Sequence, residues 1–265
     1  MRKGLVIGLG ALVCAAVLLR VGTAVCPAPV QKQLNNAAVS GGTTKIRACL
    51  LLGADPNLRD KRGVTPLERA IAAKNGPTVA VLLSAGADAN ARSHDGTTPL
   101  RLAVDGESPV IVRNLLAHRA DPNLQDEHGN ALLHGIPTVE LATIILSAGA
   151  NPNVRNKDGD TPLHFAAGAE KLDIVRELLS KGAAVDAKDK DGETPLFTWA
   201  KMRLVMPWND RGYEVGDALV DKGADVNTAT RQGITPERLA TAAGDVQMSY
   251  WLVVTHHASM PITFE

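Results

Sequence analysis

The stretch "KDGDTPLHFAAGAEKLDIVRELLSKGAAVD", residues 157–186, decides how this chain folds. Asp158-Gly159 supplies a tight turn, because glycine tolerates the positive φ that such turns need. Thr161 is placed to cap a helix, its hydroxyl accepting an orphan N–H of the first turn. Pro162 fits the first helical position, where its missing donor costs nothing. Leu163, Ala166 and Ala167 then form a narrow apolar face that lets a neighbouring helix approach closely. In the second half Ile174, Val175, Leu178 and Leu179 fall on one stripe at helical period. Gly182 ends that helix in a left-handed conformation. A single unit of this kind cannot bury its own apolar face, so it requires stacked copies of itself.

The copies are present. GDTPL at Gly159 recurs as GVTPL at Gly63, GTTPL at Gly96, GETPL at Gly192 and GITPE at Gly233, with a worn copy, GNALL, at Gly129. The closing phrase keeps step: Ala54, Ala87, Ala120, Ala150, Ala183 and Ala224 follow one another at 33, 33, 30, 33 and 41 residues. Self-similarity at this period with a T-P-L-H-x-A phrase marks a stacked array of helix pairs. From Val30 to His257 these residues resemble the ankyrin repeat family. The resemblance implies an all-α solenoid of about seven stacked helix pairs joined by β-hairpin-like loops. It also implies a protein that holds a partner protein on a concave face built from hairpin tips and first helices. The repeats are expected at residues 30–57, 58–90, 91–123, 124–153, 154–186, 187–227 and 228–258, within one domain from 25 to 265.

Some copies depart from the phrase. Repeat 1 has Leu34, Ala37, Ala38 and Gly41 in register but no Thr-Pro, and the polar residues around them suit a capping repeat. Repeat 4 has Ala131 and Leu132 where others have Thr and Pro, and Pro137 cuts its first helix early. Asn130 is expected to shift the cap by one residue. Arg119 stands where other copies mostly have Gly, which strains that helix end. In repeat 7 Glu237 replaces the Leu.

The first residues read differently. Met1-Arg2-Lys3 is a basic start, Gly4 to Leu19 is an uncharged apolar run of 16 residues, and Gly22-Thr23-Ala24 offers small residues for cleavage. That is the layout of a secretory signal peptide over residues 1–24. A membrane span wants about 20 apolar residues, so export, to the periplasm or the medium, is expected over anchoring. An envelope component anchored by an uncleaved N-terminus is the alternative. Cleavage takes three basic and no acidic residues from a chain with 28 of each, and leaves the remainder net acidic. Cys14 leaves with the signal. Cys26 and Cys49 are then candidates for a disulfide in an oxidising compartment, the alternative being Cys49 as a small apolar core residue.

The chemistry points to binding and away from catalysis. The hairpin tips mix both charge signs, with no single-sign stripe for a nucleic acid. No zinc spacing, phosphate loop or nucleophile elbow occurs, so neither enzyme activity nor a cofactor or metal is expected. His134 and His164 follow a Leu in the TPLH slot, where the family resemblance gives them structural hydrogen bonds around the loop. Exported bacterial proteins that resemble this chain are associated with oxidative-stress defence and with immunity against antibacterial toxins, which implies a soluble, monomeric scaffold holding another protein.

The partner surface is expected in repeat 6. Its segment "LFTWAKMRLVMPWNDRGYEVGDALV" runs about eight residues beyond the period and holds four of the chain's eight aromatic residues. Trp199, Met202, Arg203, Trp208, Arg211 and Tyr213 are the candidate contacts. Trp, Tyr and Arg dominate binding hot spots, and an insertion in a repeat becomes a loop on one face. Phe197 and Trp199 thickening the core is the competing reading.

Overall fold

The computed structural model describes residues 28–205 and 212–257. Every regular element in them is helical, and among the described residues no strand forms. The hairpin-like loops are turns, closed for example by Asp60 N–H to Val64 O at 3.0 Å and Asn156 N–H to Asp160 O at 3.0 Å. Gly63 and Gly159 take φ of 75° and 87° at these tips, as the turn requires. Neighbouring tips also bond, Lys190 N–H reaching Asp158 O at 2.9 Å and Arg231 N–H reaching Asp191 O at 2.8 Å. By contacts the chain divides into two compact blocks, the first ending at Ala120 and the second starting at Asp121.

The N-terminal block holds repeats 1 to 3 as the pairs α1 (Ala28–Ser40) and α2 (Thr43–Leu51), α3 (Pro66–Ala72) and α4 (Gly76–Ser84), α5 (Pro99–Asp105) and α6 (Pro109–Ala117). First helices pack on first helices, α1 on α3 and α3 on α5, and second helices likewise, α2 on α4 and α4 on α6. The buried residues are the recurring columns: Leu34, Leu67 and Leu100 in the first helices, Val79, Leu82, Val112 and Leu115 in the second. Cys49 is buried in the Leu column of α2. Its candidate partner Cys26, like the signal segment 1–24, lies outside the described residues.

Local chemistry explains the short helices. Thr65 Oγ accepts the Glu68 N–H at 3.2 Å while the Glu68 carboxylate accepts the Thr65 N–H at 2.7 Å, a reciprocal capping box. Repeat 1 has no such box. Instead Gln31 grips the backbone of Asp55, accepting its N–H and donating to its carbonyl, both at 3.0 Å. Later repeats do this with asparagine. Asn57 donates to Gly86 O at 3.0 Å and accepts Asp88 N–H at 2.7 Å. Asn153 donates to Gly182 O at 3.0 Å and accepts Ala184 N–H at 2.7 Å. These rungs tie repeat 1 to repeat 2 and repeat 4 to repeat 5, each through one side chain. Asp186 takes the asparagine position in repeat 5; its carboxylate accepts Asp225 N–H at 3.1 Å but has no amide to donate.

The C-terminal block holds repeats 4 to 7. Repeat 4 keeps only a 3₁₀ turn, Leu132–Gly135, before α7 (Val139–Ser147), as Ala131, Leu132 and Pro137 predict. Asn130 does not move the cap: its side-chain oxygen accepts Asn156 Nδ2–H at 3.0 Å, and Ala131 remains the residue before the turn. Lys171 Nζ closes the gap by donating to Ile136 O at 2.8 Å. Then come α8 (Pro162–Gly168) and α9 (Leu172–Ser180), α10 (Pro195–Val205) and α11 (Glu214–Val220), and α12 (Pro236–Ala243) with α13 (Val246–Tyr250), which runs into a π-helical turn, Trp251–Thr255. The strained helix end is visible. Arg119 sits at φ 65°, where Gly53, Gly86, Gly149 and Gly182 occupy the same position at 84° to 92°. Among the described residues no helix is long and apolar enough to cross a membrane.

Candidate binding face of the C-terminal block

His134 and His164, the two histidines of the TPLH slot, are both buried. His164 Nδ1 accepts the Thr161 N–H at 3.0 Å and lies 2.9 Å from the Thr161 hydroxyl. The expected cap by that hydroxyl on a first-turn N–H is therefore replaced by a bond to the imidazole, which reaches back across the turn. His164 Nε2 faces Glu193 O at 3.1 Å, and His134 Nε2 faces Asp160 O at 3.2 Å. With Nδ1 accepting, Nε2 carries the hydrogen and donates, so each ring pins its own turn to the next. Burial, outweighing the backbone bonds, lowers the pKa of both below the usual histidine value, which favours the neutral ring these bonds need. They are structural, as expected from the resemblance.

Phe165, next to His164, points the other way. It is 41% exposed and stands edge-on to the His134 ring, with centroids 5.3 Å apart. It lines an open hollow of about 600 Å³ over α8 and α10, with Gly168, Ala169, Thr198 and Met202. Gly168 lets the two helices close: a Cβ there would lie 3.3 Å from Thr198 Cγ2 and 3.4 Å from Met202 Cγ. Asp160 and Glu170 stand at its edges. Apolar floor, polar edge and an exposed aromatic form the anatomy of a protein-binding patch.

The candidate residues of repeat 6 separate into different places. Met202 lines the hollow. Trp199 does not belong to any surface: it is 1% exposed, in the core behind α10. The physical reason is the extended α10, which brings Trp199 against Trp251 at 5.2 Å and Tyr213 at 6.1 Å in edge-on contacts. Tyr213 stacks on Trp251 at 5.3 Å, and the Arg203 guanidinium lies over the Tyr213 ring, 4.5 Å from its centroid. Arg203 also donates to Gly212 O at 3.2 Å and sits 3.7 Å from the Glu170 carboxylate. It thus ties the insertion to the end of α8. Asp217 anchors the far side, accepting Trp251 Nε1–H at 2.8 Å and facing His256 Nε2 at 3.2 Å. Gly216 fits between the indoles, where a Cβ would lie 2.7 Å from both. Trp208 and Arg211 lie outside the described residues.

Phe165 was absent from the expected contacts, yet the sequence signals it. The same slot holds Arg69, Leu102, Gly135 and Thr198 in other repeats, and a column that does not recur in a repeat array faces solvent.

Comparison with known proteins agrees with this geometry. A family model described as ankyrin repeats (3 copies) matches residues 34–126 and 130–230. The ankyrin repeat domain of Bcl-3, described as a unique member of the IkappaB protein family, superposes with a TM-score of 0.69 at 27% identity, covering 78% of this chain and 92% of that one. The human ASB11 ankyrin repeat domain superposes with a TM-score of 0.67 at 27% identity, covering 86% of this chain and 98% of that one. No curated protein matches.

Proposed function

We propose that this chain, which belongs to the ankyrin repeat family, is an exported, non-enzymatic scaffold that holds a partner protein on the first-helix face of its C-terminal block. Ankyrin repeats are in general protein–protein interaction scaffolds, and no enzyme family matches any part of the chain. The observation that carries the reading is Phe165: an aromatic left 41% exposed over a hollow whose other walls are small or flexible. Aromatic anchors in such a setting give up large apolar area on binding at little entropic cost, and Met202 can adjust its shape to what enters. Inhibition of the partner by covering its active site, as an immunity protein does, is the sharpest form of this reading; help in stress defence is the other.

The test is site-specific photocrosslinking in the native host. A photoreactive phenylalanine analogue at position 165 should give a discrete adduct with one protein, and the same analogue at Val110, 64% exposed on α6, should not. Equal labelling from both positions refutes the site. Export is read from the same material: an N-terminus at Val25 supports a released scaffold, and a retained Met1 supports the anchored alternative.

A further inference from the structure

A second hollow, of about 930 Å³, lies in the N-terminal block over α1 and the turn that follows α2. Five cationic side chains line it, Lys32, Arg59, Lys61, Arg62 and Arg69, against two acidic ones, Asp55 and Asp60. Part of this charge is already committed. Arg69 is paired with Asp60, and that pairing holds the Asp60 carboxyl well down, at about 2. Arg59 donates to Gly63 O and Arg92 O, each at 2.6 Å, and lies 3.6 Å from the buried Glu68 carboxylate. Asp55 is occupied by its own turn, accepting Asn57 N–H at 2.8 Å. Lys32, Lys61 and Arg62 remain exposed on the walls, whereas both carboxylates are engaged.

The neutral lining narrows the class of ligand. Leu58 is 50% exposed and offers one apolar contact among the cations, while Asn35 and Asn36 offer amides that match a peptide backbone. Among the described residues no aromatic lines the hollow, and so these walls offer no stacking platform of the kind on which single-stranded nucleic acids rely. We infer that this hollow is a docking surface for an acidic segment of a partner protein, one that carries an apolar residue for Leu58 between carboxylates for Lys32, Lys61 and Arg62. Complementary charge of this kind speeds encounter and selects the partner more than it adds raw affinity. The surface lies wholly in the N-terminal block and stands independently of the Phe165 site.

The experiment uses the full chain and fluorescence anisotropy with a labelled octapeptide of glutamates around a central leucine. Binding should weaken steeply as salt rises from about 0.05 to 0.5 M, because the pairs are exposed. The double variant Lys32→Gln with Arg62→Gln should bind about tenfold more weakly. Leu58→Asn should weaken binding with its salt slope unchanged. Lys188→Gln with Lys190→Gln, which removes two tip lysines of the other block, should bind as the wild type does. Circular dichroism confirms that the variants fold, and all four lysine and arginine positions are exposed. The inference is overturned if the Lys32/Arg62 variant binds as tightly as wild type, or if a glutamine version of the peptide binds equally. Tighter binding of an oligothymidylate of the same charge overturns it in favour of a nucleic acid. Loss of Phe165 crosslinking leaves these arms unaffected, so the two readings fail separately.

Discussion

Substituting Gly216 with alanine should destabilise the protein, although the same change in most helices stabilises it. Glycine inside a helix is about 1 kcal/mol worse than alanine, so an open site on α11 would gain that amount. This site is closed. The added Cβ would meet Trp199 Cη2 and Trp251 Cη2 at 2.7 Å and Trp199 Cζ3 at 2.8 Å, where carbons rest at about 3.5–4.0 Å. Both indoles are rigid and buried, at 1% and 6% exposure, so a whole ring must move by roughly 1 Å. Overpacking of this kind costs about 1–3 kcal/mol. Movement of Trp251 also stretches its 2.8 Å bond to Asp217, and a hydrogen bond to a charged group contributes about 1.5–3 kcal/mol. After the helix gain is subtracted, a net loss of about 1–3 kcal/mol remains. Urea unfolding followed by tryptophan emission measures it, since Trp199 and Trp251 both report on the cluster. Gly168→Ala is the comparison, because its neighbours at 3.3–3.4 Å are a methyl group and a flexible methionine, and it should be close to neutral. A Gly216→Ala protein more stable than wild type by about 1 kcal/mol would refute the wedge between the rings.

Arg119→Gly should raise stability by about 0.5–1 kcal/mol, since relief of a left-handed side chain outweighs glycine's added chain entropy; a lower urea midpoint would contradict this. Because burial lowers the pKa of His134 and His164 in the fold, their contribution is fully present above about 6.5. It is lost as pH falls through the lowered folded values, because the unfolded chain binds protons first. A urea midpoint that rises on acidification from pH 7 to 5 would be the wrong sign. Amide exchange should be faster over Leu132–Gly135 than over Pro162–Gly168, because a 3₁₀ turn with a proline behind it has fewer internal bonds to open; equal protection would disprove it.

The repeat columns carried the fold into the sequence almost whole. Leu67, Leu100, Leu163 and Leu196 are buried because each stands four residues after a turn glycine and one after a helix-starting proline, a slot that points inward. Arg119 was legible for the same reason: a left-handed helix end is a backbone demand, and a missing glycine shows there directly. The aromatics of repeat 6 were not legible. Composition shows that Trp199 and Tyr213 are large, but an insertion has no register, and nothing local says whether a ring faces in or out. Their environment depends on Trp251, Gly216 and Asp217, the first of them 52 residues beyond Trp199 in sequence. The asparagine rungs were overlooked for the opposite reason. Asn57, Asn90, Asn123 and Asn153 recur in step with the alanines, but a polar residue in a turn looks like solvent chemistry until its partner in the next repeat is seen.

Asp186 breaks that series, and the break gives one junction a different response to acid from the rest of the chain. An asparagine rung has a donor and an acceptor at every pH, whereas a carboxylate has only acceptors. Burial, with some repulsion from Asp225, raises the pKa of Asp186, so the fold favours the protonated acid, whose O–H and C=O reproduce the amide's two functions. A raised carboxyl costs stability once both states are ionised and ceases to cost it as pH falls toward the unfolded value. The carboxyl rung between repeats 5 and 6 should therefore tighten as pH falls, while the His164 bond to Glu193 O across the same junction loosens. An Asp186→Asn chain should lose that tightening and keep only the loosening that His164 brings. In a polymer of near-identical links, one carboxyl in place of an amide is enough to give a single link its own proton dependence.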